Sequence, residues 1–296
     1  MAETAMSRSA RLGGTGEVAG DPLDHAVWRL RSRGCWEDAA ALLEPRVAQD
    51  DAPAALRRAG LLVEQCLFTA GGWERAEEAL RTAEALASSD EERAAAACER
   101  GYLAYAAAVL GVRDRADEAR SALGRAAALL PPASRRRALL DFRRGLMAEH
   151  FGDSPQAARA AYRRAHAAAT EHGDALLCSF TWRHLAGLAL RAGDLAEARH
   201  GFTESLRIRE ELGFLVGMAP ALVSLADVQP EPEAERLRAE AGRLFRLLGG
   251  VPSWLADRLG QDGGQGGRDG GQDGRDEQGG GGSAAGGADG TGAAGA

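Results

Sequence analysis

One spacing limits what this chain can fold into. The stretch from Cys178 to Phe214 matches its own neighbour 40 residues upstream. Trp182 falls on Phe142, Ala198 on Ala158, Phe202 on Tyr162, Ser205 on Ala165 and Gly213 on Gly173. Size class is kept at every pair. A fixed period of this size is the mark of stacked helix pairs, in which each unit buries its apolar face only against its neighbours.

The heart of the pattern is a small residue, a large one four later, and a small one three after that. Ala76, Leu80 and Ala83 fit it, as do Ala119, Leu123 and Ala126. The first copy, Ala39 and Leu43, ends in Arg46; the last, Ala234, Arg238 and Ala241, loses its large apolar member. Terminal repeats depart from the pattern because one face meets water. The breaks repeat too: GCWEDAAALL at Gly34 and GGWERAEEAL at Gly71 set Trp36 on Trp73.

These residues resemble the tetratricopeptide repeat family. The fifth unit carries most of that motif in order: Trp182, Leu185, Ala186, Ala189, Gly193, Leu195, Ala198, Phe202, Ser205 and Leu206. Spacings of 36 to 43 residues resemble the longer bacterial variety. The resemblance implies an all-α solenoid, a right-handed superhelix of about six antiparallel helix pairs. Small residues let paired helices approach, large ones such as Trp182 and Phe202 fill the space toward the next unit, and Gly193-Asp194 makes the turn.

The expected pairs are 22–33 with 35–49, 53–70 with 73–87, 90–110 with 114–129, 134–151 with 154–171, 174–192 with 195–212, and 214–228 with 232–248. Pro131-Pro132 and the Gln229–Pro232 stretch break the chain, because proline cannot continue a helix. Pro252–Leu259 reads as a cap, with Trp254 and Leu255 over the last open face. The repeat domain thus spans 22–259. Residues 1–21 read as a disordered polar arm and 260–296 as a disordered Gly/Asp-rich tail, with too little apolar surface to offset ordering.

Composition agrees with helices. Aromatics are 5%, alanine supplies much of the apolar share, and Ile208 stands alone as isoleucine. All 36 basic residues are arginine, and asparagine is absent. A GC-rich bacterial genome, of the actinobacterial kind, accounts for that bias. The net charge is −7, of which the tail carries −4. This argues against nucleic-acid binding, which needs a basic surface. No leader-like or membrane-spanning run is evident, and Cys35, Cys66, Cys98 and Cys178 form no C-x-x-C pair, so a cytoplasmic protein with reduced thiols is expected.

Catalytic and cofactor patterns are thin. Gly14–Ala19 fits G-x-G-x-x-A, but no strand precedes it. No P-loop or G-x-S-x-G turn occurs. None of the six histidines lies three or four residues from another, so no helical metal pair is expected. Glu149-His150 would be an acid–base pair only inside a pocket; a solvated or groove-facing His is the plainer reading, and an enzyme with a site among Glu149, His150 and Arg143 ranks last. Arg135–Arg137 reads as an anion-binding cluster or a solvated helix start.

The expectation is therefore a non-catalytic scaffold or adaptor, with no cofactor and no metal, binding a protein or peptide partner. In the family the first helix of each pair lines the concave groove, which by register gives Arg58, Leu61, Gln65, Phe68, Arg143, Met147, His150, Arg183, Leu190 and Arg191. Arginine beside apolar positions suits a segment with carboxylates and apolar anchors. The family's chaperone-tail clamp relies on Asn and Lys, which this chain lacks. The alternative is a peptide- or metabolite-sensing regulator, for which six units are few to wrap a ligand.

Overall fold

The computed structural model describes residues 21–152, 154–256 and 259. The expected arm with its Gly14–Ala19 stretch and the expected tail lie outside these, apart from Asp21. Among the described residues the fold is all-α, with no strand.

The helices follow the expected pairs within a few residues. They are α1 (Pro22–Arg31), α2 (Trp36–Ala41), α3 (Glu44–Val47), α4 (Ala52–Thr69), α5 (Trp73–Leu86), α6 (Asp90–Val109) and α7 (Ala116–Leu129). The second half holds α8 (Arg137–Phe151), α9 (Pro155–Glu171), α10 (Ala175–Arg191), α11 (Leu195–Glu211), α12 (Leu215–Ala226), α13 (Glu233–Leu247) and α14 (Ser253–Ala256). One departure is the first unit, whose second helix is split into α2 and α3 just before Pro45. Proline there has no N–H for a continuous ladder and is tolerated only near a helix start.

Local chemistry sets the ends. Asp51, Asp174 and Asp194 accept from the backbone N–H three residues on, and Ser89 with Glu92 forms a reciprocal capping box. The turns repeat as well. Gly173, Gly193 and Gly213 all take positive φ, between 63° and 82°. After each, the next residue's N–H reaches back to the helix it leaves: Asp174 to Ala169, Asp194 to Ala189, Phe214 to Arg209. Only glycine takes that left-handed conformation without strain.

The small–large–small signature is buried as expected. Ala76, Leu80 and Ala83, then Ala119, Leu123 and Ala126, then Ala158, Tyr162 and Ala165 are all buried. In two of the pairs the large residue of the second helix presses on a glycine of the first. A Cβ on Gly101 would lie 2.7 Å from Leu123 Cγ, and one on Gly145 would lie 2.5 Å from Tyr162 Cε1. Trp73 and Trp182 behave differently from Phe202. Both are half-buried; Trp73 donates its indole N–H to Ala70 O, and Trp182 stands edge-on to His166 and His200.

Successive pairs pack in order, α4 on α6 and α6 on α8 among the first helices. The ends then meet. Val216, in the first turn of α12, donates to Ser32 O at the end of α1, 2.9 Å away. Trp28 of α1 stacks on Phe214, and Phe68 of α4 lies 6.4 Å from Phe245 of α13 and 6.5 Å from Trp254 of α14. Leu255 caps the last pair, fully buried, while Trp254 turns to Phe68 and stays 39% exposed. The sixth pair thus contacts the first. Each pair is turned enough relative to the last that the sixth reaches the first.

Candidate ligand-binding cavity

The first helices, with Arg209 of α11 and Trp254 of α14, line an open cavity of about 690 Å³. That lies in the range of small-ligand sites. Its walls are largely aromatic. Phe214, Phe180 and Phe142 follow one another with centroids 6.0 Å apart at each step, and Tyr102 stacks on Tyr105 at 5.9 Å. Trp28 and Trp254 add ring edges from the two ends of the array. Pro220, inside α12, also lines it.

Charged groups are spread over this apolar wall, and most are already matched. Arg31 bonds Glu64 at 2.8 Å, Arg57 pairs with Asp24, and Arg136 lies 3.7 Å from Glu91. Arg143 is 6% exposed and donates Nη2 to both Glu99 oxygens, at 2.7 and 2.8 Å. Its guanidinium also sits 4.4 Å above the Tyr102 ring. Burial would push the Arg143 pKa down, but Glu99 more than offsets it and holds it above its ordinary value.

Arg209 is different. It is 3% exposed, donates Nη1 to Gly217 O at 2.6 Å and Nε to Ser179 Oγ at 3.3 Å, and packs 5.1 Å over Phe180. Among the described residues no carboxylate pairs with it. Burial, with the charge of Arg183, lowers its pKa to about 9.

Behind the wall lies a second polar cluster. Glu149 accepts from Tyr162 Oη at 2.5 Å, from His184 Nδ1 at 2.9 Å, and from Arg191. Burial raises its carboxyl, yet these donors more than offset that and hold it well below the usual range. Burial pushes the His184 imidazole down against the pull of Glu149, whose carboxylate lies 2.9 Å from its Nδ1. The Glu149 carboxylate is thus held by three donors, a phenol, an imidazole and a guanidinium.

The sequence-predicted positions divide. Leu61, Phe68, Arg143, His150 and Arg183 line the cavity. Arg58 turns to Glu44, Gln65 to Glu37 and Arg191 to Glu149, while Met147 is buried in the core and Leu190 packs against the last units. None of these five lines it. The acid–base trio does not converge: Arg143 faces Glu99, Glu149 faces His184, and His150 Nδ1 lies 3.2 Å from Tyr105 Oη and 3.0 Å from Leu146 O. Of the arginine run, Arg136 lines the cavity, while Arg137 donates to the carbonyls of Ala127, Leu130 and Pro131 and so closes the end of α7.

Several lining residues escaped the register. Tyr102 and Tyr105 sit on α6 at first-helix positions, where the same phase carried over from α4 would have found them. Arg209 had no such signal, because it comes from α11, a second helix. Among the described residues, no group of three His, Cys, Asp or Glu is placed to hold a metal, and no helix is long and apolar enough to cross a membrane. The four cysteines are free; burial pushes the Cys66 thiol up to about 12.

No protein-family model matches this chain, and no curated protein matches it at a significant level.

Proposed function

We propose that this chain is a non-catalytic binding module, a tetratricopeptide-like right-handed solenoid whose cavity takes a small ligand or the end of a partner chain. The observation that carries this is the meeting of the first and last pairs, Trp28 on Phe214, around an aromatic cavity of about 690 Å³. A partner helix is about 10–12 Å across with its side chains and is too bulky for most of that space. A short extended segment or a small molecule suits it better. Saturation of Glu149 and pairing of Arg143 support a structural rather than catalytic role for both. Free cysteines fit a reducing compartment, in keeping with a cytoplasmic protein.

The test compares wild type with Leu139→Trp, which fills the cavity from a wall position that is 37% exposed. Both are used to capture partners from lysate of the source organism, and co-purifying small molecules are read by native mass spectrometry. A molecule held by wild type and lost from the filled variant supports the reading. Identical capture by both would place binding on the outer faces and end it.

A further inference from the structure

The unmatched charge in the cavity wall deepens this reading and rests on it. Arg31, Arg57, Arg136 and Arg143 each meet a carboxylate of the chain. Arg209 is as buried as Arg143 but meets none among the described residues; its partners are a hydroxyl and a carbonyl. A guanidinium carries five N–H donors in a fixed fork. Among the described residues, two bonds leave Nη2 without an acceptor. A buried cation is retained only when something compensates it. Here neutral dipoles and the Phe180 face do part of that, and Arg183, lining the same cavity, works against it.

We propose that the cavity binds an apolar carboxylic acid, its carboxylate on Arg209 and its body against Phe180, Phe142 and Tyr102. The guanidinium edge matches a carboxylate bidentately. The body must be apolar, because the surrounding wall is largely ring and aliphatic surface, with Arg31, Arg57, Arg136 and Arg143 each on a carboxylate. A phosphate suits the site less well. It would bring close to a second negative charge and more acceptor oxygens than this wall has donors for. Arg209 remains charged at neutral pH even with its pKa lowered to about 9, and an anion would restore it. The carboxylate has two sources, a small organic acid or the C-terminal end of a partner chain.

The experiment uses the full chain with defined probes. Titration calorimetry and thermal unfolding are run with 3-phenylpropionate and decanoate, and with the primary amide of each. A second arm uses acetyl-Leu-Phe with a free or an amidated C-terminus. The acids should bind about tenfold or more tightly than the matched amides, as expected for a charge-assisted bond to a buried guanidinium. Arg209→Met should erase that preference, and Arg209→Lys should keep it at reduced affinity. If Arg209→Met does not fold, the acid-to-amide ratio in wild type and in Arg209→Lys decides. Preference for the free-acid peptide over the small acids identifies a chain end as the source; the reverse identifies a small molecule; either supports the carboxylate. Equal binding of acid and amide overturns the proposal while leaving the cavity a binding site. Failure of all acids, with Leu139→Trp still losing a captured molecule, overturns the carboxylate and spares the binding reading. Failure of both ends both.

Discussion

Trp28 on the first helix stacks on Phe214 at the start of α12, ring centroids 5.8 Å apart and planes inclined by 22°. The two lie 186 residues apart in sequence. Beside them the Val216 N–H, one of the orphan donors at a helix start, meets the Ser32 carbonyl at the end of α1. Arg31 covers both rings, 5.9 Å from Trp28 and 5.8 Å from Phe214. The contact joins the first and last pairs, so its loss should be felt at both ends of the array. Phe214→Ala should cost about 3–5 kcal/mol in urea unfolding, the range for a buried aromatic removed from a core. Hydrogen exchange should find the Val216 amide protected in wild type and fast in the variant. An unchanged Val216 amide would mean that the ends meet without supporting each other.

Gly145 faces Tyr162 so closely that a Cβ would lie within 2.6 Å of two ring carbons. Tyr162 is fully buried and cannot swing away. Gly145→Ala should therefore destabilise by about 1–3 kcal/mol through overpacking, although alanine is the better helix former. Gly124→Ala, where nothing lies within 4 Å, should be stabilising instead. Thermal melts of the two variants check the opposed signs.

The Glu99–Arg143 pair has side chains 11% and 7% exposed. Breaking it from one side strands a buried charge. Glu99→Leu alone should cost about 3–5 kcal/mol, and the double variant with Arg143→Met should cost clearly less than the sum of the singles. A double-mutant cycle in urea reads this. Additive losses would show that the pair is solvated and weakly coupled.

Glu149 gives a pH prediction. Its folded pKa lies below the ordinary 4.5, so its contribution is fully present above that value and is lost as pH falls through the folded one. His184, lowered from 6.5, acts in the same direction: below 6.5 the unfolded chain takes the proton first. Wild type should exceed Glu149→Gln in stability at pH 7, and the gap should narrow as pH drops below 4.5. Unfolding curves across pH 3–7 check it. A gap independent of pH would mean that the carboxylate's charge contributes nothing there.

How much of this was legible in the chain depends on how local the cause is. Ala158, Tyr162 and Ala165 announce a buried helix face because period and side-chain volume alone produce it. Gly193 followed by Asp194 announces a turn and a cap, since both act within four residues. The groove register found Leu61, Phe68, Arg143, His150 and Arg183 for the same reason. It misplaced Met147 and Arg191, because a groove face read from spacing assumes one rotation for every helix. It missed Arg209 because second helices belong, by the repeat rule, on the outside.

By itself, then, the sequence determined most of the helices, their ends and pairing, and the small–large–small seam of the inner pairs. Those follow from propensity, capping and volume acting over a few residues. Only the tertiary structure decided that the last pair returns to the first, that Glu149 is enclosed by Tyr162, His184 and Arg191, and that Arg209 faces a cavity without a carboxylate of its own. These depend on small rotations summed across six units. No short window of sequence carries that sum, and each such contact joins residues whose meeting is set by every pair between them.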